Sequence, residues 1–414
     1  MLDIKFIREH AEEVRQAVKN RNKKADVGQI LELDSERREL VSRIGAKHAE
    51  QKAAGKNIEL GKKLKQQIKE WEARLNEVEE LLRNLLPTVP NVPLPDVPVG
   101  HDENDNEVMR VLGKPPKFSF PVKDHLALGE VSGIIDVERA AKISGNRFCY
   151  LKGGAAYLQM ALIQYVYDVV AKQHGFTPII PPVVVKREIA AASGHPEATS
   201  DEAYHLDQDD MFLVGTSEQS ILPMFRDEIL SEKELPLRFL GYSTCFRREA
   251  GSYGKDMRGI LRQHQFDKLE MIVFCKPEDS EREHQKILWL EEELMKGLEL
   301  PYRVIKLCTG DMGFPSAKTY DIETWIPSQN KYRETHSCSN CTDYQTRNLN
   351  IRFRGQGTGG KKQGVEFVHA LNGTAFAIGR ALIAIMENCQ QPDGSILVPK
   401  TLRKYCGLEK ITRK

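Results

Sequence analysis

The sequence predicts an α+β fold: a mostly antiparallel β-sheet flanked by helices, preceded by an N-terminal antiparallel helical coiled-coil arm. Two observations support this prediction. Before residue 86, apolar residues repeat at alternating steps of four and three, which is the seam of a coiled coil. After residue 124, long period-two patterns follow one another without the regular strand–helix alternation of a parallel sheet. The predicted domains are the arm (1–95), a linker (96–123) and the sheet domain (124–414).

Apolar spacing predicts the helices of the arm. Residues 2–20 have the pattern of an amphipathic helix, and residues 30–86 have that of a helical hairpin. Gly55, Asn57 and Gly61 indicate the turn between its two helices. The seam of the second helix consists of Leu64, Ile68, Trp71, Leu75, Val78, Leu82 and Leu85.

The predicted tip of this hairpin is basic. Residues 43–69 contain eight basic and two acidic residues, whereas residues 70–86 contain two basic and five acidic ones. A solvated charged face and a surface that grips a phosphate backbone both fit this pattern. The basic residues are Arg43, Lys47, Lys52, Lys56, Lys62, Lys63, Lys65 and Lys69.

The sheet domain is predicted from strand patterns and proline positions. The proline-rich stretch after Leu86 cannot continue a helix, and the polar residues 101–110 predict a strand at a sheet edge. Prolines in the strand after Gly175 also require an edge or an interface. We expect helices over 158–173 and 280–298, and at the end a strand, a turn at Asn372-Gly373 and a helix reaching about Asn388. Further strands are predicted at 211–215, 237–249, 261–274, 302–307, 319–326 and 332–338.

Composition limits the classes of function. The net charge is +1, so any site for a polyanion must be local. No apolar run approaches the roughly 20 residues of a membrane span, so we expect no membrane association. The N-terminus lacks the features of a targeting peptide, and eight scattered cysteines suit reduced thiols, so we expect a cytoplasmic protein.

The stretch 243–274 is the strongest candidate for a functional site. Its flanks read as two strands around a glycine-containing loop at 250–260. Side chains two apart share a face, so Arg247 and Glu249 are expected on one face and Arg248 on the other. The return strand is expected to place on one face Arg262, His264, Phe266 and Glu270. A guanidinium, carboxylates and an aromatic plane suit a nucleotide, but an ion-paired face with one anchoring Phe is the alternative.

Three shorter motifs are each ambiguous alone. Thr216 and Glu218 could bind an ammonium group or cap a helix. Glu334 and Ser337 offer oxygen ligands for Mg²⁺, which needs few protein ligands beside phosphates. Arg380 lies near the start of the last predicted helix, where it can add to a phosphate-binding dipole.

A zinc site is a weak alternative for the pair Cys338 and Cys341. Their CxxC spacing has no second CxxC and no paired histidines elsewhere in the chain.

In this order the segments resemble the class II aminoacyl-tRNA synthetases. Residues 175–182 resemble motif 1, residues 246–266 motif 2, and the strand–helix unit ending at Gly379-Arg380 motif 3. Within that class the chain is similar to the seryl-tRNA synthetases along nearly its whole length. The further similar segments are TSE, LCTGDMGF, YRETHSCSNCTDYQ and LNGTAFAIGR.

The resemblance implies an activity and its partners. The family activates L-serine with ATP to seryl-adenylate and transfers serine to the 3′ end of tRNA(Ser), with tRNA(Sec) as a further acceptor left open. Mg²⁺ accompanies the ATP, and the motif 1 segment forms a homodimer interface. The arm here is shorter than in many bacterial relatives, motif 3 lacks the glycine-rich opening of the general pattern, and TSE stands where many bacterial members have TAE.

The resemblance also implies residue roles. Arg247 and Arg380 are the expected catalytic residues, and Glu334 and Ser337 the expected Mg²⁺ ligands. Serine is expected at Thr216, Glu218, Arg247, Glu270 and Thr374. ATP is expected at Arg247, Arg248, Glu249, Phe266, Glu334, Thr335, His336, Ser337 and Arg380. The basic residues of the tip, Arg43 to Lys69 as named above, are expected to contact tRNA.

Two other functions remain as alternatives. One is a paralogue that delivers the activated amino acid to another carrier, such as a carrier protein, although such relatives typically lack the arm. The other is a degenerate paralogue that serves as an interaction module, which predicts loss of residues such as Arg247 and Arg380; both are present.

Overall fold

A computed structural model of the chain describes residues 1–53, 57–250, 259–355 and 364–412. The chain forms two compact units, Met1–Pro93 and Leu94–Lys414. No helix in these described ranges is both long and apolar enough to cross a membrane. The predicted linker range, 96–123, contains a strand that pairs within the second unit and forms an edge of its sheet, as expected for 101–110.

The first unit is helical. The predicted helix over residues 2–20 is two helices, because the backbone of His10 leaves the helical region at φ −124° and ψ 36°. Asn57 caps the last helix by accepting a hydrogen bond from the Leu60 amide, and Gly61 lies inside that helix rather than in the turn. Gly55 lies outside the described residues. The helices are α1 (Ile4–Glu9), α2 (Ala11–Asn20), α3 (Val27–Ala53) and α4 (Ile58–Leu85).

Helices α3 and α4 form the predicted hairpin. Arg74 of α4 donates two hydrogen bonds to the Glu36 carboxylate of α3, from Nε at 2.7 Å and from Nη2 at 3.0 Å. Most of the apolar seam is buried, whereas Trp71, Leu75 and Leu85 are half-buried. The buried seam residues are Ile30, Leu33, Leu40 and Ile44 of α3 and Leu64, Ile68, Val78 and Leu82 of α4.

The second unit is built on an eight-stranded sheet, which is antiparallel except for the pairing of its last two strands. The last strand contains Pro178 and lies at an edge, as its prolines predict. In spatial order the strands are β1 (Glu107–Leu112), β11 (Tyr302–Lys306), β12 (Lys318–Ile326), β13 (Lys331–Asn340), β16 (His369–Ala377), β10 (Gln265–Cys275), β9 (Leu237–Phe246) and β4 (Thr177–Ile179).

Smaller elements surround this sheet. The other strands are β2 (Ile135–Asp136), β3 (Tyr150–Leu151), β5 (Val184–Lys186), β6 (His205–Leu206), β7 (Met211–Leu213), β8 (Ile229–Ser231), β14 (Arg352–Arg354), β15 (Val365–Phe367), β17 (Ile396–Leu397) and β18 (Lys410–Ile411). The helices are α5 (His125–Ser132), α6 (Val137–Ser144), α7 (Gly154–Val166), α8 (Arg187–Ala192), α9 (Glu218–Ile221), α10 (Ser280–Leu298), α11 (Tyr344–Asn348), α12 (Ile378–Asn388) and α13 (Lys400–Cys406). A π-helical segment, Tyr167–Gln173, extends α7.

The main apolar core lies where α7, α10 and α12 pack against the sheet. Residues such as Met271, Val273 and Leu371 point into it. Because side chains alternate along a strand, the polar residues between them point to the opposite face. That face carries the candidate site.

The predicted turn at Asn372-Gly373 is wrong. Both residues lie in the middle of β16, where Gly373 faces Met271 on β10 and Cys338 on β13. A Cβ atom on Gly373 would lie 2.2 Å from Cγ2 of Ile287 on α10. The glycine therefore allows α10 to approach the sheet closely.

Candidate active site

The second unit has a cavity of about 1580 Å³ over the polar face of the sheet. An adjoining cavity of about 80 Å³ shares Arg247 and Arg380 with it and is also lined by Phe266 and Thr335. The predicted site residues that line the large cavity are Thr216, Glu218, Arg247, Glu249, Glu270, Glu334, Ser337, Thr374 and Arg380. Residues from six separate parts of the sequence thus meet in one place.

Strand β10 supplies Glu270 at the floor of the cavity. Only 2% of Glu270 is exposed; its carboxylate forms an ion pair with Lys268 and accepts a hydrogen bond from Thr374 Oγ1 at 3.3 Å. Burial raises the pKa of Glu270, although the Lys268 ammonium opposes the rise. Glu270 is thus a buried acceptor that can recognise a small polar group.

Glu218 lies at the first position of α9. Its carboxylate is hydrogen-bonded to His195 Nε2 at 3.1 Å and to Gln345 Nε2 at 2.6 Å. Burial alone would raise the pKa of Glu218, but His195 and the Gln345 hydrogen bond lower it below its ordinary value. Thr216 Oγ1 accepts a long hydrogen bond from the Glu218 amide at 3.4 Å, but the N-cap residue of α9 is Ser217, whose side chain makes no capping hydrogen bond.

The predicted strand placement of Arg247, Arg248 and Glu249 is wrong. Strand β9 ends at Phe246; the Arg247 amide still pairs with His264, but the Arg248 amide donates to Glu202 instead, and Glu249 adopts φ 51°. Residues 262 and 264 likewise precede β10. Residues 251–258 of the predicted loop lie outside the described residues.

Arg247 and Glu249 reach the cavity in spite of this early strand end. Arg247 Nε donates to Gly215 O at 3.2 Å, and its guanidinium lies 5.4 Å from the Phe266 ring centroid. Glu249 accepts from Arg262 Nη1 at 3.1 Å. Arg248 is exposed beside the Tyr204 ring and does not line either cavity.

A β-bulge in β13 places Glu334 and Ser337 together. The register with β12 shifts between the pairs Ile322–His336 and Glu323–Glu334, so Thr335 is the extra residue. Glu334 and Ser337 therefore both line the cavity, although residues three apart on a regular strand face opposite ways. The side chain of His336 is 1% exposed and lies beside the Phe376 ring, away from the cavity.

Arg380 is the third residue of α12, near the helix start as predicted. Its Nη1 lies 2.9 Å from Glu334 Oε1 and donates to Glu334 O at 3.1 Å. Glu334 is about half exposed at the cavity wall; partial desolvation there would raise its pKa, but the Arg380 guanidinium holds that pKa below its ordinary value. The pair links the last helix to the bulged strand.

The oxygen atoms near the bulge fit a hard cation. Asp321 pairs with Ser337 across β12 and β13, and its Oδ1 is buried without a hydrogen-bond partner among the described residues. Burial and the nearby Glu334 raise the pKa of Asp321 well above its ordinary value. Within the described ranges, no group of three or more His, Cys, Asp or Glu side chains could hold a metal, so a cation here would depend on ligand oxygens as well.

Three residues of the site were not predicted. Lys268 could have been found, because it shares strand parity with Phe266 and Glu270. His195 and Gln345 had no local signal: they are distant in sequence and meet only at Glu218. Their contribution depends on the tertiary structure.

In the first unit, the predicted basic residues lie on the hairpin. Arg43 pairs with Glu39, and Lys47 Nζ lies 2.6 Å from Glu50 Oε2. Lys56 lies outside the described residues. Lys52, Lys62, Lys63, Lys65 and Lys69 are exposed.

Two family models match the chain. The seryl-tRNA synthetase N-terminal domain matches residues 1–93, and the tRNA synthetase class II core domain (G, H, P, S and T) matches residues 203–389. Together they include the hairpin and most of the residues that line the cavity.

The chain is similar along its full length to curated serine–tRNA ligases. A serine–tRNA ligase of Dehalococcoides mccartyi is 46% identical, and one of Thermodesulfovibrio yellowstonii is 43% identical; each alignment covers 99% of this chain and 100% of the relative.

Solved structures agree with these relatives. A seryl-tRNA synthetase from Pyrococcus horikoshii complexed with ATP superposes with a TM-score of 0.93 at 39% identity, covering 100% of both chains. A cytoplasmic serine–tRNA ligase from Naegleria fowleri in complex with AMP gives 0.88 at 32% identity, covering 100% of this chain and 99% of the other. With the fold, the cavity and these comparisons in agreement, the chain belongs to the seryl-tRNA synthetase family of the class II aminoacyl-tRNA synthetases.

Proposed function

We propose that the protein is a serine–tRNA ligase, which activates L-serine with ATP and transfers serine to the 3′ end of tRNA(Ser). The observation that supports this most directly is that one cavity is lined by the Glu270 and Glu218 carboxylates and by two guanidinium groups, those of Arg247 and Arg380. The 1580 Å³ of that cavity exceed the roughly 300–1000 Å³ of an ordinary ligand pocket, which suits two substrates held together.

The first step joins two anions. A serine carboxylate oxygen forms a bond to the α-phosphorus of ATP, and the bond from that phosphorus to the bridging oxygen of the leaving pyrophosphate breaks. The nucleophile is already an anion and needs no strong base, but bringing it to a phosphate costs Coulomb energy. Arg247 offsets that cost by binding both the serine carboxylate and the α-phosphate, and Arg380 holds the γ-phosphate.

Other residues orient the two substrates. The adenine ring stacks on Phe266, and its exocyclic amine donates to Glu249. The serine ammonium binds Thr216 and Glu218, where the low pKa of Glu218 keeps the carboxylate ionised. The serine hydroxyl binds Glu270 and Thr374, which touch each other through one hydrogen bond.

Glu334 and Ser337 are the proposed ligands of Mg²⁺, and Asp321 is the cross-strand neighbour of Ser337. When bound, the ion neutralises phosphate charge. In this structure Arg380 forms an ion pair with the Glu334 carboxylate, and we propose that its guanidinium contacts the γ-phosphate when ATP binds beside this pair. We assign no side-chain contact with ATP to Arg248 or His336, because neither residue lines the cavities. Thr335 lines the smaller cavity and is proposed to contact ATP there.

In the second step, a terminal ribose hydroxyl of the tRNA attacks the serine carbonyl carbon, and AMP leaves. The basic residues of the hairpin tip are proposed to bind the tRNA backbone. A charging assay with purified tRNA(Sec) tests whether that tRNA is also an acceptor.

We propose that the protein is a cytoplasmic homodimer. All eight cysteines are free thiols, which suits a reducing compartment. Large apolar side chains are exposed on and near the segment that resembles motif 1, which suits burial against a second subunit: Tyr157, Met160 and Ile180.

The test is ATP–pyrophosphate exchange with serine, followed by charging of total tRNA. Exchange with charging supports the proposed function, exchange without charging indicates transfer to another carrier, and no exchange indicates a non-enzymatic protein. Glu270→Ala should lose serine-dependent exchange far more than ATP binding, because only the hydroxyl site loses its acceptor. An equal loss of both would contradict the role of Glu270.

A further inference from the structure

Lys268 is a buried cation that the proposed mechanism does not use. It lies two residues before Glu270 on β10, so both side chains point into the cavity. Its side chain is 10% exposed and its ammonium contacts the Glu270 carboxylate. A lysine buried this deeply is rare unless a charged partner compensates it.

Burial and the Glu218 carboxylate oppose the ionisation of Glu270, whereas the Lys268 ammonium and a hydrogen bond from Thr374 favour it. On β9, Gly241 lies opposite it and the Cys245 thiol is near; Glu218 of α9 adds negative charge. Glu291 of α10 is also close enough to interact, but burial raises the pKa of Glu291 well above its ordinary value.

The ionised form of Glu270 therefore depends mainly on one neighbouring cation. Thr374 of β16 contributes one neutral hydrogen bond to Glu270, whereas Lys268 contributes a full positive charge. Burial raises the pKa of Glu270 in spite of this contact, so loss of the ammonium would favour the protonated acid further.

We propose that Lys268 is a positioning residue that keeps Glu270 in the carboxylate form, so that Glu270 accepts a hydrogen bond from the serine hydroxyl. This inference rests on the proposed function. A carboxylate can only accept, so the ligand must supply a donor, whereas a protonated carboxyl group can donate and no longer requires one. Alanine has no donor and a thiol is a weak one, so Lys268 determines how strongly the pocket selects serine over alanine and cysteine.

The first experiment compares Lys268→Met and Lys268→Arg by ATP–pyrophosphate exchange. We expect Lys268→Met to lower kcat/KM for serine by about 30-fold or more, the effect of removing one partner of a buried charge pair, with a much smaller change in KM for ATP. The loss should be larger at pH 6 than at pH 9, because Glu270 regains its charge as the pH rises. The ratio of kcat/KM for serine to that for alanine should fall, and Lys268→Arg should retain most of the selectivity because it keeps the positive charge.

The second experiment repeats Lys268→Met in a Glu270→Gln background. The amide is neutral at every pH, so the lysine should then contribute little, and the pH dependence should disappear. Equal losses in both backgrounds, or a loss that does not vary with pH, would show that Lys268 acts through packing alone and would overturn the proposal. Lys276→Met is the matched control: this lysine directly follows β10 and pairs with Glu232 and Glu278, so exchange should be unchanged.

These outcomes separate the inference from the proposed function. A wild-type protein that shows no exchange with serine overturns both. A wild-type protein that exchanges with serine, and whose Lys268→Met variant keeps its full selectivity, overturns the inference alone.

Discussion

The guanidinium of Arg380 lies 2.9 Å from the carboxylate of Glu334. This ion pair joins the N-terminal turn of α12 to the bulged strand β13, and it holds the proposed γ-phosphate and Mg²⁺ residues in contact. Arg380 also donates to the backbone carbonyl of Glu334, so its position depends on the bulge as well as on the charge.

Arg380→Ala is therefore expected to lower kcat/KM for ATP by about 10²-fold or more in serine-dependent exchange, because the phosphate loses a preorganised cation. Serine protection of the enzyme against thermal unfolding should change little. Arg139→Ala is the control, since Arg139 is exposed and pairs with Asp136 away from the cavity. An Arg380→Ala enzyme with normal KM and kcat for ATP would exclude the phosphate role.

The contact between Glu218 and His195 predicts a pH effect. His195 is one of the groups that lower the Glu218 pKa against the opposing effect of burial. In His195→Ala, fewer groups oppose the effect of burial, so Glu218 takes up a proton at a higher pH than in the wild type. Because the carboxylate binds only above its folded-state pKa, we expect the serine KM of the variant to exceed the wild-type value more at pH 5.5 than at pH 8.

The same measurement on His101→Ala, an exposed histidine, provides the baseline for this effect. A KM ratio that is equal at both pH values would mean that His195 positions Glu218 without affecting its ionisation.

Gly373 predicts a stability effect. An alanine at this position places Cβ 2.2 Å from Ile287 Cγ2 and 3.1 Å from Cys338 Cβ, so α10 must move away from the sheet. We expect Gly373→Ala to lower the free energy of unfolding by about 1–3 kcal/mol in urea. Gly313→Ala, whose Cβ meets nothing closer than 3.5 Å, should stay within about 0.5 kcal/mol of the wild type. Equal stabilities of the two variants would argue against close packing at Gly373.

The basic hairpin predicts a salt-dependent effect on charging alone. Lys62, Lys63, Lys65 and Lys69 are exposed and form no ion pair with any described residue. Replacing all four by glutamine should raise the KM for tRNA and weaken its salt dependence, while serine-dependent exchange stays unchanged.

The control is the double variant Glu79→Gln and Glu80→Gln, near the base of the same helix. It tests whether any change of charge in the arm alters the KM for tRNA. If the four-lysine variant charges tRNA at the wild-type rate in 0.15 M salt, the basic tip does not bind the backbone.

The local sequence pattern predicts most of the helices and strands. The hairpin of α3 and α4, the helix Ser280–Leu298 and the long strands of the sheet follow from apolar periodicity, which depends only on neighbours along the chain. The residue types of the site, above all Arg247, Glu270 and Arg380, were identified from motifs. The predictions are wrong where a local sequence signal competes with packing. Asn372-Gly373 has the composition of a turn. Both residues nevertheless lie in a central strand, where glycine is needed because α10 packs so closely that a side chain at position 373 would not fit.

By itself, then, the sequence determined which elements form and which chemical groups they carry, because helix and strand periods are short-range properties. Only the tertiary structure decided how those groups meet. The bulge at Thr335 brings Glu334 and Ser337 to one face, and the fold brings His195 and Gln345 to Glu218. Register and such contacts depend on which distant strands and helices pair, and a one-residue shift in register reverses the face of every side chain that follows it.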